Sequence, residues 1–301
     1  MKKIRSLLWM LCLSAAFLCG CSKVQETAGN TEPAATPEAT ILDETSAFSV
    51  FSEYEAFPQR QNTWYTKNNL IVHATGGIDG LSYTNSKDAM TQSLKKGYRL
   101  IEVDFNYTTD NKLVCVHNWS DAFYSLKEAP DFETFMNIRI QGKYTPACAE
   151  DIINYMKKHK DLFIVIDSKD DNLSAVIQTL YDIAKESEIM DRFIVQLYQP
   201  GEKANIEQIY DFPEENYLFT CYKFSTDPMK IIPVCYDENI NVVTIKTEAL
   251  SEEALAFFMS KNIYVYEHTV NRPDKAQNRI NLGVWGLYTD FITKDSLVFR
   301  K

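Results

Sequence analysis

Leu100-Ile101-Glu102-Val103-Asp104-Phe105 is a short aliphatic run that carries two carboxylates. A run this short and this apolar reads as a strand of a parallel sheet covered on both faces, where near-continuous hydrophobicity is the rule. Side chains alternate along a strand, so Glu102 and Asp104 share one face. A second run, Leu162-Phe163-Ile164-Val165-Ile166-Asp167, breaks the apolar rule in the same way, because Asp167 and Lys169 stand two residues apart at its end. Burying unpaired carboxylates is costly, so a chain that folds must pair them or give them a metal.

Six further runs flank these two: Leu70-Ile71-Val72-His73, Phe193-Ile194-Val195-Gln196-Leu197, Tyr217-Leu218-Phe219-Thr220, Asn241-Val242-Val243-Thr244-Ile245, Ile263-Tyr264-Val265-Tyr266 and Val284-Trp285-Gly286-Leu287-Tyr288. Amphipathic stretches with helix-start signals lie between most of them, as at Ser86-Lys87-Asp88, Asp171-Asn172-Leu173 and Ser251-Glu252-Glu253. Eight alternating units predict an α/β chain folded as a TIM (β/α)8 barrel, with a doubly wound open sheet as the competing fold. Lys112-Leu113-Val114-Cys115-Val116-His117, across the turn Thr108-Thr109-Asp110-Asn111, predicts a small hairpin excursion after the second strand. No glycine-rich dinucleotide or P-loop fingerprint follows the first strand.

The chain has 301 residues, 31 Lys+Arg against 41 Asp+Glu, a formal charge of −10 and 45% hydrophobic residues. That apolar content supports a large core and excludes a wholly disordered, collagen-like or coiled-coil chain. The acidic balance argues against a nonspecific nucleic-acid partner, whose affinity would come from Lys and Arg. An anionic substrate therefore needs a local source of positive charge.

At the N-terminus, basic Met1-Lys2-Lys3-Ile4-Arg5 precedes an apolar run from Leu7 to Leu18. The run is too short to cross a bilayer of roughly 30 Å as a helix and reads as a secretory signal. Its end, Leu18-Cys19-Gly20-Cys21, resembles the lipobox of bacterial lipoproteins, with an ordinary signal and an incidental Cys as the alternative. The division that follows is a signal peptide over 1–20, a lipidated N-terminus at Cys21 with a Thr-, Ala-, Glu- and Pro-rich linker over 21–50, and a barrel over 51–301. It implies an extracytoplasmic protein held at the membrane of a bacterial cell surface, with its oligomeric state left open. Cys115, Cys148, Cys221 and Cys235 show no metal spacing and read as buried thiols, with a Cys221–Cys235 disulfide as an option.

Glu102, Asp104 and Asp167 form an all-oxygen set suited to a hard divalent cation, Ca²⁺ or Mg²⁺, with Lys169 as a fixed positive charge beside it. A solvated salt-bridge layer at the barrel rim is the alternative. His73 and His117, both at strand ends, suit a general base and a general acid near neutral pH. His159 lies in a basic, solvated stretch, and the role of His268 is ambiguous.

At these residues the sequence resembles the glycerophosphodiester phosphodiesterase family, which shares its barrel with phosphatidylinositol-specific phospholipases C. The matching elements are His73, Glu102-Val103-Asp104, Thr108-Thr109-Asp110-Asn111, the strand ending in His117-Asn118, Asp167-Ser168-Lys169, Thr269-Val270-Asn271 and Gly283 to Asp290. The chain departs from the pattern where His-Arg-Gly becomes His73-Ala74-Thr75 and Pro-Glu-Asn-Thr becomes Tyr83-Thr84-Asn85-Ser86. The resemblance implies a metal-dependent phosphoric diester hydrolase acting on a small-molecule or lipid-derived phosphodiester. Its roles would be catalytic for His73, His117 and Lys169, metal-binding for Glu102, Asp104 and Asp167, and substrate-binding for Asn85 and Gln196. Tyr198, Tyr222 and Trp285 are candidate pocket walls. The alternatives are a phospholipase C-like hydrolase of lipid headgroups that works without metal, and a non-catalytic surface binding protein on a degenerate barrel.

Overall fold

A computed structural model describes residues 46–121, 124 and 126–299; the segment 1–20, Cys21 and the linker up to residue 45 lie outside the described residues. Nine strands form in chain order: β1 (Leu70–Val72), β2 (Leu100–Tyr107), β3 (Leu113–Cys115), β4 (Phe163–Ser168), β5 (Phe193–Leu197), β6 (Tyr217–Thr220), β7 (Val242–Lys246), β8 (Tyr264–His268) and β9 (Gly286–Thr289). Eight of them are parallel and close into a barrel in the order β1-β2-β4-β5-β6-β7-β8-β9, with β1 meeting both β2 and β9. The expected barrel is therefore the observed one, and the open-sheet alternative falls. β3 is the expected excursion, running antiparallel to β2 with Phe105 opposite Cys115 and Tyr107 opposite Leu113.

The helices are, in chain order, α1 (Trp64–Lys67), α2 (Lys87–Lys95), α3 (Phe132–Asn137), α4 (Ala149–Lys158), α5 (Leu173–Ala184), α6 (Glu202–Glu207), α7 (Pro228–Asp237), α8 (Glu252–Ser260) and α9 (Pro273–Asn281), and most of them cover the outside of the barrel. The start signals work as read. Ser86, Asn172 and Ser251 each accept a hydrogen bond from the backbone N–H three residues on, at 3.1 Å, an arrangement worth about 1 kcal/mol per helix.

Alternation along the strands sorts the side chains. Ile101, Val103, Phe105, Ile164, Ile166, Val195, Phe219, Val243 and Val265 point outward and pack under the helices. The inward set begins apolar, with Ile71, Leu100, Val165, Ile194, Leu218, Val242 and Tyr266 in one buried cluster. Two residues later every one of these strands turns polar, to His73, Glu102, Asp167, Gln196, Thr220, Thr244 and His268. The lumen is thus packed at the end where strands begin and polar at the mouth where they finish, where barrels of this kind carry their active sites.

The packed end is also plugged. Trp64 and Tyr65 on α1 are 1% and 0% exposed and belong to the apolar lumen cluster. The Trp64 indole N–H donates to the carbonyl of Glu215 at 2.6 Å, and the Trp285 indole N–H donates to that of Tyr65 at 2.9 Å. Trp285 is therefore not a wall of the mouth. β9 begins only at Gly286, so Trp285 sits at the entry end of its strand and packs on Tyr264 with ring centroids 4.7 Å apart. Gly286 is required there, because a Cβ would fall 2.6 Å from the carbonyl oxygen of Asn69.

Residues 46–57 form a strap along α8. The Ser46 hydroxyl donates to Glu253 in the first turn of α8 at 2.7 Å, Phe48 stacks on Phe257 at 5.0 Å, and the Phe57 N–H donates to the Lys261 carbonyl beyond its last turn. Residues 46–50, grouped with the linker from sequence, thus already pack on the barrel. The four remaining cysteines are free and buried, so the Cys221–Cys235 disulfide does not form.

A buried ion pair joins α9 to β8. Arg279 Nη2 donates to Glu267 Oε1 at 2.7 Å and Arg279 Nε donates to Glu267 Oε2 at 3.0 Å, with the residues 7% and 0% exposed. Arg279→Ala strands the carboxylate and is expected to destabilise the fold by about 3–5 kcal/mol, read from the urea unfolding midpoint. A loss below about 1 kcal/mol would mean that the Arg279 guanidinium does not carry Glu267.

Candidate active site

His73 is the first residue after β1, and the chain leaves it through two left-handed residues, Ala74 (φ 49°) and Thr75 (φ 65°). This turn brings the Ala74 N–H to Glu102 Oε2 at 2.7 Å. His73 Nδ1 pairs with Asp290 Oδ1 at 2.9 Å, and Asp290 is held in turn by the Asn271 side-chain amide at 2.6 Å. With Nδ1 engaged by a carboxylate, Nε2 is the nitrogen left for chemistry. Sequence reasoning had no means of pairing His73 with Asp290, 217 positions away. Barrel closure supplies it: Ile71 lies opposite Tyr288, so the residue after β9 falls beside the residue after β1.

Register also assembles the carboxylates. Asp104 on β2 lies opposite Asp167 on β4, and Glu102 follows two residues back on the same face. Ligand oxygens of all three lie within 4.8 Å of one another. Lys169 Nζ bridges Asp104 Oδ1 and Asp167 Oδ2, each at 2.8 Å. Asn85 grips Asp104 twice, its Nδ2 donating to Asp104 Oδ2 at 2.7 Å and its Oδ1 accepting from the Asp104 N–H at 3.2 Å. The Tyr198 hydroxyl donates to Asp167 Oδ1. Asn85, read from the family pattern as a substrate ligand, therefore has both ends of its amide engaged in positioning Asp104.

Three carboxylates share one ammonium, and the imbalance shows at Glu102. Burial first, then Asp104 and Asp167, pushes its carboxyl well above the ordinary range, and its Oε1 is buried with no hydrogen-bond partner. Burial works against the charge of Lys169, yet Asp104 and Asp167 hold its ammonium above the usual lysine value. Asp104 is likewise buried, but Lys169, His117 and His73 keep it below the usual carboxylate range. An all-oxygen donor set with one oxygen left over in a buried, negative pocket fits a hard divalent cation.

His117 follows β3 and reaches the same space from the hairpin, with Nδ1 3.7 Å from Asp121 Oδ2. Between the two imidazoles stands Tyr83, its ring centroid 4.5 Å from that of His73 and 4.7 Å from that of His117. Tyr83 is left-handed (φ 60°), and it stands where the family pattern has Pro.

The groups enclose a cavity of about 210 Å³. One side holds Glu102, Asp167, Lys169, His73 and His117; the other holds Gln196, Thr220, Thr244, His268 and Tyr288, with Tyr222 at the opening. His268, ambiguous from sequence, lines this second side. Burial first, then the nearby His73 and Lys169, lowers its pKa to about 4 against the opposing pull of Asp167. Its imidazole is neutral at pH 7.

No family model matches the chain. The uncharacterised protein YqiK of Bacillus subtilis (strain 168) is 22% identical over 244 residues, covering 76% of this chain and 98% of that protein. Among solved structures, an Oleispira antarctica phosphodiesterase in complex with the product sn-glycerol-3-phosphate superposes with a TM-score of 0.61 at 12% identity, over 74% of this chain and 93% of that one. A glycerophosphodiester phosphodiesterase from Parabacteroides distasonis gives 0.58 at 15% identity (74% and 92%), and one from Thermotoga maritima gives 0.55 at 15% (74% and 94%). The closed parallel barrel of this chain is the fold that these phosphodiesterases share.

Proposed function

We propose that this protein is a metal-dependent phosphoric diester hydrolase. The observation that carries the reading is the buried, unpartnered Glu102 Oε1 facing Asp104 and Asp167 in a cavity that also holds two imidazoles and Lys169. Glu102, Asp104 and Asp167 would hold Ca²⁺ or Mg²⁺, which when bound polarises the phosphoryl group and offsets its developing charge. Lys169 adds a second positive charge on the same side of the cavity. Together they answer the need for local positive charge in an acidic chain.

His73 takes the proton of the attacking water, and Asp290 orients the ring and stabilises the charge it gains. As the water oxygen bonds to phosphorus, the bond from phosphorus to the leaving alcohol oxygen breaks, its electron pair stays on that oxygen, and His117 returns a proton to it. The product sn-glycerol-3-phosphate held by the Oleispira antarctica relative supports a small phosphodiester as substrate. The three carboxylates weigh against the metal-free, phospholipase C-like alternative. The non-catalytic alternative draws on Ala74 and Thr84, which stand where the family pattern has Arg and Glu.

The test is a panel of bis(p-nitrophenyl) phosphate and glycerophosphodiesters, assayed after EDTA treatment and again with Ca²⁺ or Mg²⁺. Turnover is expected to vanish with EDTA and to return with one of the two cations. Turnover that is indifferent to chelation sinks the metal reading, and no turnover on any diester with either cation sinks hydrolysis.

We propose in addition that the protein lies outside the cell on a lipid attached to Cys21. The lipobox-like sequence Leu18-Cys19-Gly20-Cys21 supports it. The intact mass of the mature N-terminal peptide tests it. A diacylglycerol adduct on Cys21 is the expected result, and an unmodified peptide that retains residues 1–20 rejects it.

A further inference from the structure

We infer that the Tyr83 hydroxyl is a further catalytic group, which donates a hydrogen bond to a non-bridging phosphoryl oxygen of the diester as negative charge builds there. The assignment rests on the phosphodiesterase reading and adds one residue to its machinery. Tyr83 lines the cavity, half-buried, with its ring between the two imidazoles. A phosphorus atom attacked with help from one imidazole, and released with help from the other, must lie within reach of both, and so beside this ring.

A count of hydrogen-bond donors on the carboxylate side singles Tyr83 out. The Ala74 N–H is spent on Glu102, the Asn85 amide on Asp104 and the Tyr198 hydroxyl on Asp167. Lys169 Nζ divides itself between Asp104 and Asp167, which leaves one of its three hydrogens. Among the described residues the Tyr83 hydroxyl makes no hydrogen bond. Burial first, then the charges of Asp290, Asp104 and Glu102, raises its pKa above the usual tyrosine value, so it holds its proton as a donor must.

The backbone fixes where that donor points. Tyr83 and Asn85 are both left-handed, at φ 60° and 45°, a conformation that costs energy in residues with a side chain and persists where the surroundings enforce it. The surroundings do so here. The Tyr124 hydroxyl donates to the Thr84 carbonyl at 2.9 Å, and Asn85 is tied to Asp104 at both ends of its amide. A donor held in place before the charge develops is the arrangement that stabilises a transition state.

The competing role is that of a spacer, in which the ring holds His73 and His117 apart and the hydroxyl is idle. Tyr83→Phe separates the two, because it keeps the ring and removes one oxygen. Isothermal calorimetry with inorganic phosphate in the presence of Mg²⁺, and with Mg²⁺ alone, reads the contact apart from turnover. Tyr83→Phe is expected to weaken phosphate binding about tenfold and to lower kcat/KM on a diester by about ten- to a hundredfold, the effect of one hydrogen bond to a charged oxygen. Its affinity for Mg²⁺ alone and the pH limbs of kcat/KM should match wild type, since the carboxylates and imidazoles are untouched. Tyr83→Gly suits the left-handed backbone and supplies a second variant that lacks the hydroxyl, with the same loss of phosphate affinity expected. Thermal midpoints identify a variant that fails to fold. Phosphate affinity within about twofold of wild type in either folded variant overturns the assignment. So does a Tyr83→Phe protein that loses Mg²⁺ affinity or shifts its pH limbs, because the hydroxyl would then act through the carboxylates or the imidazoles. If no diester is cleaved and Tyr83→Phe still loses phosphate, the hydrolase reading falls and the phosphate contact stands; if diesters are cleaved equally by both proteins, the reverse holds.

Discussion

Glu102→Gln is expected to lower kcat/KM by about three orders of magnitude and, in the same protein, to raise the thermal midpoint of the metal-free form. Both effects come from one oxygen cluster. Glu102 is 1% exposed and shares its pocket with Asp104 and Asp167, and the resulting repulsion is part of what pushes its carboxyl up. Removing one of three crowded negative charges relieves the fold, because a buried carboxylate beside like charges is a net cost. It also removes a ligand from the proposed cation site, and a loss of about 4 kcal/mol in transition-state stabilisation corresponds to roughly a thousandfold in rate. Scanning calorimetry with and without Mg²⁺ supplies the second readout. Wild-type protein at a hundred times its dissociation constant should gain about 2.7 kcal/mol from the cation, and the variant should gain almost nothing. A Glu102→Gln enzyme with more than a tenth of wild-type activity would show that the carboxylate cluster is structural.

The imidazole pair carries the other large effect. His73→Ala and His117→Ala are each expected to lower kcat by about 10²–10⁴, the range for losing a positioned acid or base. The double variant should lose little more than the worse single one, since the two act in one proton relay. Asp290→Asn is expected to fall between wild type and His73→Ala, because Asn still accepts the Nδ1 hydrogen bond but no longer balances the charge. Steady-state kinetics on one diester measures all four proteins. If Asp290→Asn matches wild type, Asp290 is not a positioning residue; if the two single His effects multiply in the double variant, the imidazoles do not act as a unit.

Much of this arrangement was legible in the sequence because it depends on neighbours in the chain. Alternation placed Glu102 and Asp104 on one face, and the helix caps at Ser86, Asn172 and Ser251 are local signals. What could not be read depends on closure and register. The pairing of His73 with Asp290 needs β9 laid beside β1, and the facing of Asp104 and Asp167 needs the alignment of β2 with β4. The sequence run starts its last strand at Val284, two residues before β9 begins, which draws Trp285 from the entry end into the strand. Tyr83 was visible only as a departure from a family pattern. Its left-handed backbone, which turns the ring between two histidines, has no signature in a non-glycine residue.

The plug formed by Trp64 and Tyr65 fixes the traffic through the barrel. With one end shut, anything that enters or leaves the cavity uses a single doorway. If the cavity turns over a diester as proposed, a lingering product at the mouth, where Tyr222 lies, would block the next arrival. Turnover in such a chamber is governed by how fast it vents as well as by how fast it reacts.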